Sequence, residues 1–229
     1  MSKYNDTIYA LSTPPGKSAI AIIRVSGKDA TKALKKITPI KKIKSNETKV
    51  LFLKHKDVFI DQVVVIYYKA PKSFTGEDVV EINCHGGAAV ISKISKTLEK
   101  LGLRLAEPGE FTRRALLNNK LDLVKTESIS DLIDAETEKQ RESALKNLSG
   151  GLSQFTKDIN KSLAVVLANV EALIDFSDED LPKRIINKTK EQNKNIIKKI
   201  QIELKNAELS KPIRSGINIA IVGKPNTGK

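Results

Sequence analysis

Residues 217–229 read INIAIVGKPNTGK, and no other stretch restricts the fold of this chain so narrowly. Ile217, Ile219, Ala220, Ile221 and Val222 form a largely β-branched run, the pattern of a strand buried in a parallel sheet. Gly223, the tetrapeptide Lys224–Pro225–Asn226–Thr227, then Gly228 and Lys229 complete the spacing GxxxxGK of a phosphate-binding loop. The Ser or Thr that would hold Mg²⁺ comes next in that pattern and lies beyond Lys229. Glycines let successive backbone N–H groups curl around a phosphate, and the lysine adds a point charge. A lone GxxxxGK also fits a plain glycine turn beside a lysine, but the strand before it and the Pro–Asn within it favour the phosphate loop. Gly223, Asn226, Thr227, Gly228 and Lys229 are therefore candidate nucleotide-binding residues. What precedes them reads as the portion of a protein that leads into a nucleotide-binding domain.

Upstream, strands and helices alternate as far as about residue 118. Residues 5–11 read as a short strand, closed by the rigid turn Ser12–Thr13–Pro14–Pro15–Gly16. Residues 19–25 (AIAIIRV) form an apolar strand with one charge, Arg24. A charge there either finds a partner or ligand, or reaches water past the strand end. A helix over 29–37 follows, then an exposed Lys-rich loop, then paired strands over 50–54 and 58–68 with the run from Val63 to Tyr68 buried. In residues 71–87 (PKSFTGEDVVEINCHGG), Val79, Val80 and Ile82 set Glu81 on the opposite face of the strand. Gly86–Gly87 before the helix over 88–101 leaves N–H groups free for an anion or simply permits close packing, and packing is the favoured reading. His55, His85 and Cys84 lack metal-ligand spacing. A strand over 103–106 precedes a helix bearing Phe111 and Ala115.

From about Lys120 the pattern becomes helical. Apolar residues recur at steps of three and four from Leu145 to Leu173 and again from Ile185 to Ala207, predicting an antiparallel helix pair. Gly150–Gly151 loosens the first seam. The acidic stretch 175–182 (DFSDEDLP) lacks EF-hand spacing and reads as a turn with an acidic helix start.

The net charge of +13 bears on partners. It suits a nucleic acid or another anionic surface, yet only seven of the 40 basic residues are Arg, the type favoured for specific phosphate recognition. A Lys excess spread along the chain also fits a solvated surface, and both readings stand. The single cysteine excludes an internal disulfide and favours a reducing compartment. No apolar run approaches the ~20 residues that span a bilayer, so a cytoplasmic protein without a membrane partner is expected.

The blocks DTIYALSTPPG, IIRVSG, SFTGEDVVEINCHGG, EPGEFTRRALLNNKLDL, SDLIDAET and VGKPNTGK, in this order, resemble the MnmE (TrmE) family of tRNA-modification GTPases from Asp6 to Lys229. The resemblance implies an α+β chain in three parts. Residues 1–118 would be a mixed α/β, aminomethyltransferase-like domain that dimerises and binds 5-formyl- or methylene-tetrahydrofolate. Residues 119–215 would be a helical domain, and 216–229 the first strand and incomplete loop of a Ras-like G domain. The family acts with an FAD-dependent partner, MnmG (GidA), to place an aminomethyl-type group at carbon 5 of the wobble uridine of tRNA.

Carried over residue by residue, Glu81 matches the folate-contacting glutamate, and Arg24 and Lys120 the basic folate contacts. Asn226 matches the K⁺ contact of a GTPase that needs GTP, Mg²⁺ and K⁺. The family's switch segments, guanine-reading motif, returning helices and terminal Cys-x-Gly-Lys have no counterpart among these residues. A stand-alone folate-binding dimer without enzyme activity and a basic RNA-binding module are the competing readings. With no ligands for Mg²⁺ and no oriented water, this 229-residue polypeptide is expected to leave GTP unhydrolysed. A phosphate-release assay showing turnover above the buffer rate would contradict that expectation.

Overall fold

The computed structural model describes residues 6–56, 58–175, 183–215, 220, 222, 223 and 228. The chain divides into two compact units, Met1–Thr126 and Glu127–Lys229.

The first unit is built on a six-stranded sheet from β1 (Ile8–Leu11), β2 (Ser18–Ser26), β3 (Thr48–His55), β4 (Val58–Tyr68), β5 (Val79–Gly86) and β6 (Arg104–Leu105), in the order β3-β4-β5-β2-β1-β6. Every neighbouring pair is antiparallel except β1–β6. Three helices accompany it: α1 (Ala30–Ile37), α2 (Ala88–Lys100) and α3 (Glu110–Leu117).

Period-two alternation decides which face becomes the core. Ala21, Ile23 and Val25 of β2, Val63, Val65 and Tyr67 of β4, and Ile82 and Cys84 of β5 are buried in one cluster. Leu34 and Ile37 of α1 and Ile94 and Leu98 of α2 close that cluster. Arg24, Val64, Ile66, Tyr68, Glu81 and Asn83 occupy the other face and are only half-buried. The run from Val63 to Tyr68 is thus buried on one face rather than both, because the helices pack on one side of an antiparallel sheet. Gly86 resolves the glycine pair. A Cβ built there would lie 2.5 Å from the Ser18 carbonyl oxygen, so glycine lets β2 and β5 meet. Burial pushes the Cys84 thiol up to about 11, so it behaves as a small apolar filler.

The second unit is helical. After α4 (Leu123–Ile133), within which the division falls, come α5 (Glu138–Leu148), α6 (Gly151–Asp175) and α7 (Lys183–Ser215). Thr137 and Gln140 form a reciprocal capping box at the start of α5. Gly150, at φ +105°, separates α5 from α6, so the first seam is two helices. α6 and α7 pack together, with Ile159 and Ile196 buried. Much of both seams is open, however: Leu163 is 41% exposed, Ile197 47% and Leu204 61%. The acidic turn falls outside the described residues from 176 onward, as do Ile217, Ile219 and Ile221 of the expected strand. Ala220 and Val222 of that strand are described and have no strand pairing, and Val222 is 92% exposed. A buried parallel strand needs neighbours on both sides, and no described strand pairs with these two.

Among the described residues no helix is long and apolar enough to cross a membrane, and no cluster of His, Cys, Asp and Glu has the makings of a metal site.

Leu98, fully buried where α2 meets the sheet, is a direct test of this core. Leu98→Ala is expected to cost about 2–5 kcal/mol, read as a lower urea midpoint for the first unit with little change in the helical unit.

Candidate functional site

Antiparallel pairing of β2 with β5 sets Arg24 directly opposite Glu81 on the half-open face of the sheet. Arg24 donates from Nε at 2.9 Å and from Nη2 at 2.7 Å, both to Oε1 of Glu81. The side chains are 24% and 17% exposed. All the hydrogen bonds of the pair fall on Oε1, so Oε2 of Glu81 and Nη1 of Arg24 carry none among the described residues. The Arg24 guanidinium lies 5.3 Å from the centre of the Phe74 ring and 5.5 Å from that of Phe111, within cation–π range of both. Burial and the Glu81 carboxylate push the nearby Tyr68 phenol up, against an opposing pull from Arg24.

Lys120 reaches this region from the segment after α3. Its backbone N–H donates to the Ala115 carbonyl at 2.9 Å. A Cβ built on Gly76, which has φ +78°, would come within 3.1 Å of Lys120 Cγ and of Asn118 Cβ. The Lys120 stem therefore crosses the loop that carries Phe74, and Asn118 Nδ2 ties the two segments by donating to the Thr75 carbonyl at 2.7 Å. Arg24 and Glu81 are thus in contact, and Lys120 sits against the loop that supplies one wall beside Arg24. Of the candidate nucleotide residues, Asn226, Thr227 and Lys229 lie outside the described residues. Gly223 and Gly228 are described, the latter at φ +71°.

Behind the aromatic walls lies a charged network that the sequence reading missed. Arg114 of α3 is 0% exposed. Its Nη2 donates to Asp6 Oδ1 at 2.7 Å and to Glu110 Oε1 at 2.9 Å, and its Nη1 to the Asp6 carbonyl at 3.0 Å and to Glu77 Oε2 at 3.2 Å. Ser26 at the end of β2 donates to Glu77 Oε2 at 2.8 Å and shares a hydrogen bond with Thr75 at 2.7 Å. Arg104 of β6 grips Glu110 from the outer side at 2.6 and 3.0 Å. The available signal was acidic residues beside apolar strands and helices, as in TGEDVV and PGEFTRR, but no local spacing pairs them.

A family profile described as "GTP-binding protein TrmE N-terminus" matches residues 7–120, and one described as "MnmE helical domain" matches residues 123–219. The chain belongs to the MnmE (TrmE) family. It is 46% identical over 231 residues to the tRNA modification GTPase MnmE of Fervidobacterium nodosum, covering 98% of this chain and 50% of that protein. The MnmE of Thermotoga petrophila is 43% identical over 234 residues and that of Caulobacter vibrioides 42% over 227, each covering 98% of this chain and 50% of the relative. The chain therefore spans about half the length of these relatives. The MnmE profiles meet between residues 120 and 123, near the division between the two compact units.

Hydrogen bonds from Arg104 above all, with help from the Glu107 N–H and Arg114, hold the Glu110 carboxyl down to about 2 against the cost of its burial. A carboxylate lowered in the folded state stabilises the fold above its unfolded value near 4.5 and loses that contribution as pH falls toward 2. Stability measured by denaturant unfolding is expected to drop steadily from pH 5 to pH 2, and Glu110→Gln should flatten that slope while lowering stability at neutral pH.

Proposed function

We propose that the first unit holds a reduced folate, 5-formyl- or methylene-tetrahydrofolate, at Arg24, Glu81 and Lys120, and that the chain is the folate-binding, dimerising part of a tRNA-modification GTPase. What carries this reading is the Arg24–Glu81 pair, its guanidinium within cation–π range of two aromatic rings, with one carboxylate oxygen and one guanidinium nitrogen unengaged. A carboxylate accepts hydrogen bonds from the amino and ring N–H edge of a pterin, and a guanidinium donates to a carbonyl or formyl oxygen. Phe74 and Phe111 are apolar flanks suited to a flat heterocycle. Lys120, which is exposed, would meet the carboxylates of the folate tail. When bound, the folate supplies a one-carbon unit. The residues of this chain bind it, orient it and shield one side of it from water.

The wider activity rests on family membership and on relatives that are tRNA modification GTPases. In this reading a homodimer works with an FAD-dependent MnmG partner on carbon 5 of the wobble uridine of tRNA. GTP would bind on the loop from Gly223 to Lys229, with Mg²⁺ and with K⁺ at Asn226, and its hydrolysis would drive the modification cycle.

Calorimetry with 5-formyltetrahydrofolate tests the ligand assignment. The unaltered chain should give a saturable heat, and Glu81→Ala should abolish it by leaving both Arg24 and the pterin edge without a carboxylate. Glu81→Gln retains size and one acceptor and should weaken binding by roughly tenfold to a hundredfold. Equal heats from all three proteins would remove the folate site from this face.

A further inference from the structure

On the helix-covered side of the same unit is a cavity of ≈ 300 Å³ whose chemistry is unlike that of the folate site. One wall is a row of lysines at helical spacing: Lys28 just before α1, then Lys32 and Lys36 on it. The opposite wall is the turn after α2 around Gly102, where a built Cβ would meet nothing within 4 Å, so the approach is open.

Two carboxylates, Asp6 and Asp29, also line it. Asp6 is held by Arg104 and Arg114, each at 2.7 Å, so its charge is already answered. Asp29 lies 3.7 Å from Lys32, an exposed and loose pair of the kind worth little in water. The Lys36 side chain makes no hydrogen bond or ion pair among the described residues. Lys32 and Lys36 thus line a polar recess in a chain of net charge +13.

We propose that this cavity is a phosphate-binding site for the RNA backbone, with Lys32 and Lys36 as its principal contacts. This rests on the tRNA-modification reading of the family. Lysines supply point charges without planar, base-reading geometry, so the contact tracks the backbone and carries no sequence preference. It lies on the side of the sheet away from Arg24 and Glu81, so RNA and folate can bind at once.

The test is fluorescence anisotropy of the full 229-residue chain with an unmodified tRNA transcript across a salt series, with lysine acetylation footprinting alongside. Lys32→Ala combined with Lys36→Ala should weaken binding by roughly tenfold and flatten the slope of log affinity against log salt by about 1.4–1.8, the release expected for two phosphate contacts. Lys93→Ala combined with Lys96→Ala, exposed positions on α2 outside the cavity, should leave both nearly unchanged. The transcript should protect Lys32 and Lys36 from acetylation, and inorganic phosphate should not. An unchanged slope in the cavity variant, an equal loss in the α2 variant, or protection by inorganic phosphate and not by tRNA overturns the proposal. If the unaltered chain binds the transcript and the cavity variant behaves as it does, this inference alone fails. If the unaltered chain does not bind the transcript, the inference and the tRNA reading fail together.

Discussion

A guanidinium with no access to water governs the architecture of the first unit. Removing Arg114 from solvent costs several kcal/mol unless its donors are satisfied and its charge is met. Its partners are the Asp6 carboxylate and carbonyl, Glu77 and Glu110, which belong to the entrance of β1, the loop before β5 and the first turn of α3. Three segments far apart in sequence are therefore pinned to one point. Two of them carry the aromatic walls of the candidate site, Phe74 on the loop and Phe111 on the helix. An apolar side chain in place of Arg114 could fill the space, but it could not set the positions of those segments to within a hydrogen-bond length.

The sheet separates the core from the candidate site. One face is closed by α1 and α2 over a largely apolar cluster, where burial supplies most of the driving force. The other is only half-covered, and there the Arg24–Glu81 pair sits in an intermediate environment. A fully exposed pair would be worth little to stability and would be loosely held. A fully buried one would have every lone pair and proton committed within the protein. Partial burial beside two rings keeps the geometry firm and leaves an acceptor and a donor unengaged.

How much of this was legible depended on how local each determinant is. That Glu81 leaves the strand opposite Ile82 follows from strand geometry over two residues. That Arg24 in an apolar strand needs a partner follows from the cost of burying a charge. Which partner it takes does not follow, because strand register links residues 57 positions apart. The Asp6–Arg114 contact spans 108 positions, and no spacing rule reaches that far. The helical seams show the converse error. Their periodicity correctly marks an apolar stripe, but Ile197 and Leu204 on that stripe remain about half exposed or more. Periodicity says which side of a helix is apolar, and only packing says whether anything covers it.

The amino-acid sequence alone therefore determined the family, the alternation of strands and helices ahead of a helical stretch, the face on which Glu81 emerges, and the residue types available for a phosphate or a pterin. These are short-range properties, encoded in periods of two and of three to four residues and in contiguous motifs. The tertiary structure alone decided the mutual pairing of Arg24 and Glu81, the aromatic walls around them, the buried network behind those walls and the lysine-lined cavity on the opposite side. Each of these requires distant segments to meet. That meeting is set by the simultaneous satisfaction of apolar burial and of charges that cannot be left unpaired, a condition no window of sequence expresses.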